Sequence, residues 1–253
     1  MIWKKPVIPP VVLRAFTSGL GNYIDPSRPL WSLMQKQYVA LQWNSLNLDA
    51  ICKLTDQPDT LEGLALQTGW RFAASDGDLY GACHVGSMVG RDYNTPPITT
   101  GFSYDAQTLT FMESLEQLKL LPLPDGMTGA GPFELRGLSI RWLHFEAFWL
   151  RNTAAPTGTQ EPDGTGDIVV PYTGFVEDFP NYLELMSPYP VKYFLTAIWP
   201  CVQTACDSKK QKEKDAADAP KTSAQRAEDA AKNQRERLER LTRKAEDEAK
   251  PKN

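Results

Sequence analysis

The chain has 253 residues, 42% hydrophobic and 23% charged, enough for one large domain or two small ones. Charge is divided unevenly. Residues 1–207 carry 13 Lys/Arg against 21 Asp/Glu, and residues 208–253 carry 14 against 10, so an acidic body precedes a mildly basic tail. All 26 aromatic residues lie in the body, which excludes a wholly disordered chain, a collagen and a disulfide-dense scaffold.

The predicted elements run as follows. Residues 1–30 hold five prolines and little periodicity, and are expected to run extended over the body. Pro29 then opens a helix with Trp31, Met34, Tyr38 and Leu41 on one face of a 3.6-residue repeat. A short helix is expected over residues 49–54. Asp59-Thr60-Leu61-Glu62 has the capping-box spacing and predicts a third helix, closed by Gly69. The period then falls to 2. Residues 70–74 and 79–85 read as a β-hairpin around Asp76-Gly77, because that pair supplies the positive φ that tight hairpin turns need.

Residues 87–96 read as a loop and 98–103 as a strand. Asp105 caps a long helix carrying Leu109, Met112, Leu115 and Leu118, which Pro122 and Pro124 stop. A glycine-rich turn over 125–132 leads to strands at 133–140 and 141–151, with a bulge expected at Gly137. A Thr/Pro/Gly-rich loop over 153–166 precedes a strand at 167–173 that pairs back on 143–151. Pro190 starts a last helix, with Pro200 as a kink, ending near Cys206.

Strands thus cluster instead of alternating with helices. The expected fold is α+β: a mainly antiparallel sheet of about five or six strands packed with helices in one domain over residues 1–207. Residues 208–253 form a charged low-complexity tail, disordered or a solvated helix, because Leu238 and Leu241 are its only apolar residues larger than alanine.

Catalytic motifs are scarce. No GxxxxGK[ST], dinucleotide fingerprint, GxSxG, HExxH or CxxC occurs. With two histidines in the chain, the one arrangement worth naming is Cys83 with His144 and Glu146, which would form a cysteine–histidine–acid hydrolase triad if neighbouring strands present them on one face. Cys83 and His84 are adjacent, so they point to opposite faces of an extended strand. A metal site from His84, His144 and Glu146 has no supporting ligand spacing, and neither metal nor cofactor is expected. Cys201 and Cys206, five apart, point about 140° apart on a helix. All four cysteines are therefore expected as free thiols in a reducing cytoplasm.

No apolar window is long enough for a membrane span, and prolines interrupt the apolar stretch at the N-terminus. Interleaved acids argue against nucleic acid as a partner of the tail. The expected function is a non-catalytic interaction or assembly component. It would bind another protein, or itself, through an aromatic-lined sheet surface that includes Trp142, Phe148 and Trp149, with the tail as a solvating or tethering extension. A cysteine hydrolase and a small-ligand-binding protein are the alternatives, the latter requiring an apolar cavity with a few convergent polar groups.

Overall fold

The computed structural model describes residues 3–86, 96–124, 132–153, 166–174, 183–218, 232 and 234–236. Its centre is a nine-stranded, open, mixed sheet in place of the expected five or six mainly antiparallel strands. In chain order the elements are β1 (Trp3–Lys4), α1 (Pro10–Leu20), α2 (Pro29–Lys36), β2 (Val39–Leu46), α3 (Leu48–Ile51), β3 (Ala65–Asp76), β4 (Leu79–Gly86) and β5 (Ile98–Ser103). Then follow α4 (Ala106–Leu118), β6 (Phe133–Ile140), a 3-10 turn (Arg141–Leu143), β7 (Phe145–Asn152), β8 (Ile168–Thr173), β9 (Tyr189–Pro190) and α5 (Val191–Asp218). The strand order is β5-β4-β3-β2-β6-β7-β8-β9, and β1 also pairs with β6. Both β1 and β2 run parallel to β6, which makes the sheet mixed.

Helices cover both faces. On one face α4 lays Phe111, Met112, Leu115 and Leu118 against Leu41, Phe133, Leu135, Phe148 and Val170. On the other, α1 and α2 cover β3 and β4, where Phe16 stacks on Phe72 with ring centroids 4.1 Å apart. On that same face α5 covers β6 to β8, with Phe194, Leu195 and Ile198 against Leu138, Phe145 and Trp149. Each fully buried Leu, Ile or Phe contributes about 2–3 kcal/mol, so this double coverage is the main source of stability.

Several expectations hold. Asp105 caps α4, its Oδ1 accepting the Thr108 amide at 2.9 Å. Pro29 occupies the first turn of α2. Asp76 pairs with Leu79, so the hairpin loop is Gly77-Asp78 with positive φ at Gly77 only, the pattern of a type II′ turn. β7 and β8 form the expected antiparallel pair.

Others are corrected. Residues 10–20 are helical, because Pro9-Pro10 starts a helix, with proline in its first turn, and Val12, Phe16 and Leu20 recur every four residues on the buried side. The helix expected over 59–69 is absent. Asp59 pairs with Lys192 instead, and residues from Ala65 onward join β3. No bulge sits at Gly137, whose ladder to β7 is continuous. Glycine is needed there because a Cβ would lie 2.1 Å from the Trp43 ring. The strand expected from 141 begins only at Phe145, after the 3-10 turn.

The short helix near 49 forms as α3, with Asn47 accepting the Asp49 and Ala50 amides. The loops expected at 87–96 and 153–166 and the turn at 125–132 lie almost wholly outside the described residues.

Cys52 and Cys206 form a disulfide across 154 residues of sequence, with Cα atoms 5.5 Å apart, which corrects the expectation of four free thiols. Closing so long a loop stabilises the fold by about 3–5 kcal/mol in the chain-entropy account. Cys83 and Cys201 are not part of this disulfide. The chain divides into two units, Met1–Cys206 and Asp207–Asn253. α5 is the element that crosses the boundary, and it continues past Cys206, where it was expected to end. Among the described residues no helix is long and apolar enough to cross a membrane.

Candidate functional site

Three β-bulges converge on the α4 face of the sheet. The register shifts between Trp43 and Asn44 opposite β3, between His84 and Val85 opposite β5, and between Glu146 and Ala147 opposite β8. The residues left unpaired are Thr68, Thr100 and Tyr172. A bulge re-aims the side chain of its extra residue. Thr68 and Thr100 here line a polar recess of about 280 Å3, together with His84, Ser139, Arg141 and Glu146.

A buried charge network lies beside this recess. Arg71 Nη1 donates to Glu146 Oε2 and to the Tyr172 hydroxyl, each at 3.3 Å, and Tyr172 donates to the same Glu146 oxygen at 2.5 Å. The guanidinium carbon sits 4.6 Å from the Trp43 ring and 4.7 Å from Phe111, so the cation is held between two aromatic rings. Arg71 is 5% exposed and its Nε has no acceptor. Burial pushes the Tyr172 hydroxyl well above its ordinary pKa, and the Glu146 charge adds to it. Burial likewise pushes the His84 imidazole down to about 4, with the Arg71 charge adding and Asp105 opposing. His84 is therefore neutral at neutral pH.

The sequence-derived triad is not assembled. Cys83 pairs with Phe72 under α1 and α2, is fully buried, and has its thiol pushed up to about 12 by burial, so it carries no thiolate. His144 is exposed in the turn before β7, in the left-handed region with φ 49°. It shares no strand face with Glu146, because the strand begins after it. Glu146 is committed to Arg71 and Tyr172 on the α4 face. The histidine that does line a recess with Glu146 is His84. Arg71 was not singled out from sequence, although a lone arginine among Trp70, Phe72, Ala73 and Ala74 was the available signal.

The aromatic surface is likewise reduced. Phe148 is fully buried under α4, and Trp149 is 2% exposed, its indole N–H donating to the buried Asp167 carboxylate at 2.7 Å. Burial raises the Asp167 pKa while bonds from Asn152 and Trp149 oppose the shift. Trp142 alone of the three is half-buried, packed beside the α5 cluster.

A second cavity, of about 590 Å3, lies where the sheet forks. The same edge of β6 pairs with β1 at Phe133 and Glu134, then with β2 from Arg136 onward. Val39, Ala40 and Leu41 pair with β3 only, so a gap opens between them and β1. Trp3, Tyr38, Val39, Leu41, Leu115 and Leu135 make its walls apolar. Lys5, Lys36 and Lys119 also line it, and no acid does.

Among the described residues no cluster of three or more His, Cys, Asp or Glu is placed to hold a metal ion. The chain matches no family model, no curated protein and no solved structure.

Proposed function

We propose that the chain is a non-catalytic binding protein that holds a small, largely apolar molecule in the fork cavity between β1 and β2. The observation that carries this reading is the cavity itself. Its volume, about 590 Å3, falls in the range of small-molecule sites, and its lining is apolar with a few polar groups at hand. The interaction reading, with another protein or a second copy as partner, ranks behind it because Phe148 and Trp149 are core residues and only Trp142 remains of its surface. The hydrolase reading ranks last, since Cys83 is protonated and shares no site with His144. No cofactor and no nucleic acid enters the proposal.

The disulfide bears on the compartment. Such bridges persist in oxidising surroundings and are rare in a reducing cytoplasm. The Cys52–Cys206 bridge thus favours an oxidising compartment over the cytoplasmic location expected from free thiols. Alkylation under denaturing conditions and mass measurement of protein purified from its own host without reductant should find two alkylated cysteines. Four would return the reading to the cytoplasm.

The binding test uses N-phenyl-1-naphthylamine, a neutral fluorescent probe, on the whole chain. Saturable one-to-one binding is expected, weakened at least tenfold by Val39→Trp, which fills the cavity from a half-buried position. Unsaturable uptake, or uptake indifferent to Val39→Trp in a folded variant, would remove the proposal.

A further inference from the structure

We infer that the fork cavity selects an amphipathic anion: an apolar chain or ring system carrying one carboxylate or phosphate head. The inference rests on the binding reading above and adds the chemical class of its ligand.

Two independent observations carry it. The first is charge. The lining holds three lysines and no Asp or Glu. Lys119 pairs with Glu116 on its own helix end, and both side chains are more than half exposed. Lys5 and Lys36 have no ion pair among the described residues and are exposed. The body that surrounds this patch is acidic overall, so three lysines around one cavity, with Glu116 as the single acid paired to them among the described residues, are a local reversal of sign. An ammonium in water attracts an anionic head while the long side-chain stem covers apolar surface. The same arrangement repels an amphipathic cation.

The second observation is apolar exposure at the same place. Val7, 90% exposed, and Leu120, 85% exposed, are the two most exposed large apolar side chains among the described residues. Val7 lies between the lining residues Pro6 and Ile8, and Leu120 follows the lining residue Lys119. Cationic lining residues and exposed apolar side chains thus alternate along the two chain segments that border the cavity. That pairing suits a molecule whose charged head stays at the rim while its apolar part enters past Leu41, Leu115 and Leu135.

Affinity should then respond to two variables separately. Each methylene added to the tail should tighten binding by up to about fourfold until the cavity is full. The head should matter through screened electrostatics, because the lysines are exposed, so its effect should shrink as salt rises.

The experiment is displacement of N-phenyl-1-naphthylamine from the whole chain by decanoate, decyl phosphate, decanol and decyltrimethylammonium, all below micelle formation. The expected order places one or both anions at least fivefold tighter than decanol, and decanol tighter than the cation. Whichever anion is tighter identifies the head. At 0.5 M salt the anion preference should fall to less than half. In Lys5→Glu/Lys36→Glu, two exposed positions where folding is not at stake, the ratio of anion to decanol affinity should fall to one or below. Equal displacement by all four compounds, or tighter binding of the cation, overturns the inference and leaves the binding reading standing. Displacement by none of them, with no saturable probe binding, overturns both. An anion preference that survives the double charge reversal also overturns the assignment of the head group to these lysines.

Discussion

The recess beside Arg71 and the cavity at the fork lie in one sheet and treat their polar groups in opposite ways. Beside the recess, Arg71, Glu146 and Tyr172 bond one another, with the Arg71 Nε lacking an acceptor, and the cation is held between Trp43 and Phe111. At the fork, apolar walls stand unfilled and two lysines stand unpaired among the described residues. A closed network lowers the energy of the fold and leaves little for a ligand to gain. An unfilled apolar space whose charged lining residues are all lysines does the reverse. Burial shifts His84 and Tyr172 at and beside the recess, yet the fork is the better binding candidate. Perturbed pKa values mark structural ion-pair networks as well as functional sites.

The largest expected effect comes from opening the closed network. Glu146→Leu strands the Arg71 cation in the core and should cost about 3 kcal/mol, read as a lower urea midpoint. Removing all three partners together, as Arg71→Met/Glu146→Leu/Tyr172→Phe, should cost less than that single change, since no buried polar group is left without a partner. Probe binding at the fork should stay unchanged in every variant that folds. A triple variant less stable than the single one would mean that the network contributes net stability beyond mutual neutralisation.

Gly137→Ala should come next, at about 2 kcal/mol. Its new methyl would meet the Trp43 ring at 2.1 Å, and Trp43 forms one side of the Arg71 clamp. The ring has to shift, so the loss should be smaller in an Arg71→Met background. Equal losses in both backgrounds would separate the glycine from the clamp.

The His84 contribution is smaller and pH-dependent. Its folded pKa, about 4, lies below the ordinary 6.5, so the fold favours the neutral ring. Above pH 6.5 neither state is protonated and the stability is fully present. As pH falls from 6.5 toward 4, the unfolded chain takes up a proton that the folded one refuses, and stability drops by roughly 2 kcal/mol, discounted for partial exposure. His84→Gln should flatten the difference between denaturation at pH 7 and at pH 5. An unchanged slope would place the acid sensitivity in other groups.

How much of this was legible in the sequence depended on how local the cause was. The β3–β4 hairpin and α4 were readable because Gly77 and Asp105 act within a few residues of themselves. β2 was missed because helices cover both of its faces, so Val39–Leu46 lacks the alternation that marks a half-exposed strand. Trp31, Met34, Tyr38 and Leu41 fit one helical repeat only by running across the end of α2 into that strand. The fork needs Asn44 beside Leu138, and the disulfide needs Cys52 beside Cys206, pairings with no local trace. At the recess, the chemistry of Glu146 is legible in the sequence but its partners, Arg71 and Tyr172, are not. A 3-10 turn instead of continuous strand at 141–143 moved His144 off the ladder, and the bulge at Glu146 brought Tyr172 to it.

The smallest effect should come from removing the tail. Cys206 is the last buried residue described along α5, and the described residues beyond it are exposed or half-exposed. Ion pairs such as Lys209–Glu213 and Lys210–Asp207 lie along the helix surface, where each contributes a few tenths of a kcal/mol to the helix itself. Deleting residues 208–253 keeps Cys206 and its bridge, so the urea midpoint of the body should move by less than the equivalent of about 0.5 kcal/mol. The deletion also takes away 14 Lys/Arg and 10 Asp/Glu, a net loss of four positive charges. If the fork lysines act through their immediate neighbourhood, anion preference should persist in the truncated chain at 0.15 M salt, where charges beyond about 8 Å are largely screened. A preference that disappears with the tail would move the electrostatic contribution from Lys5 and Lys36 to residues 208–253.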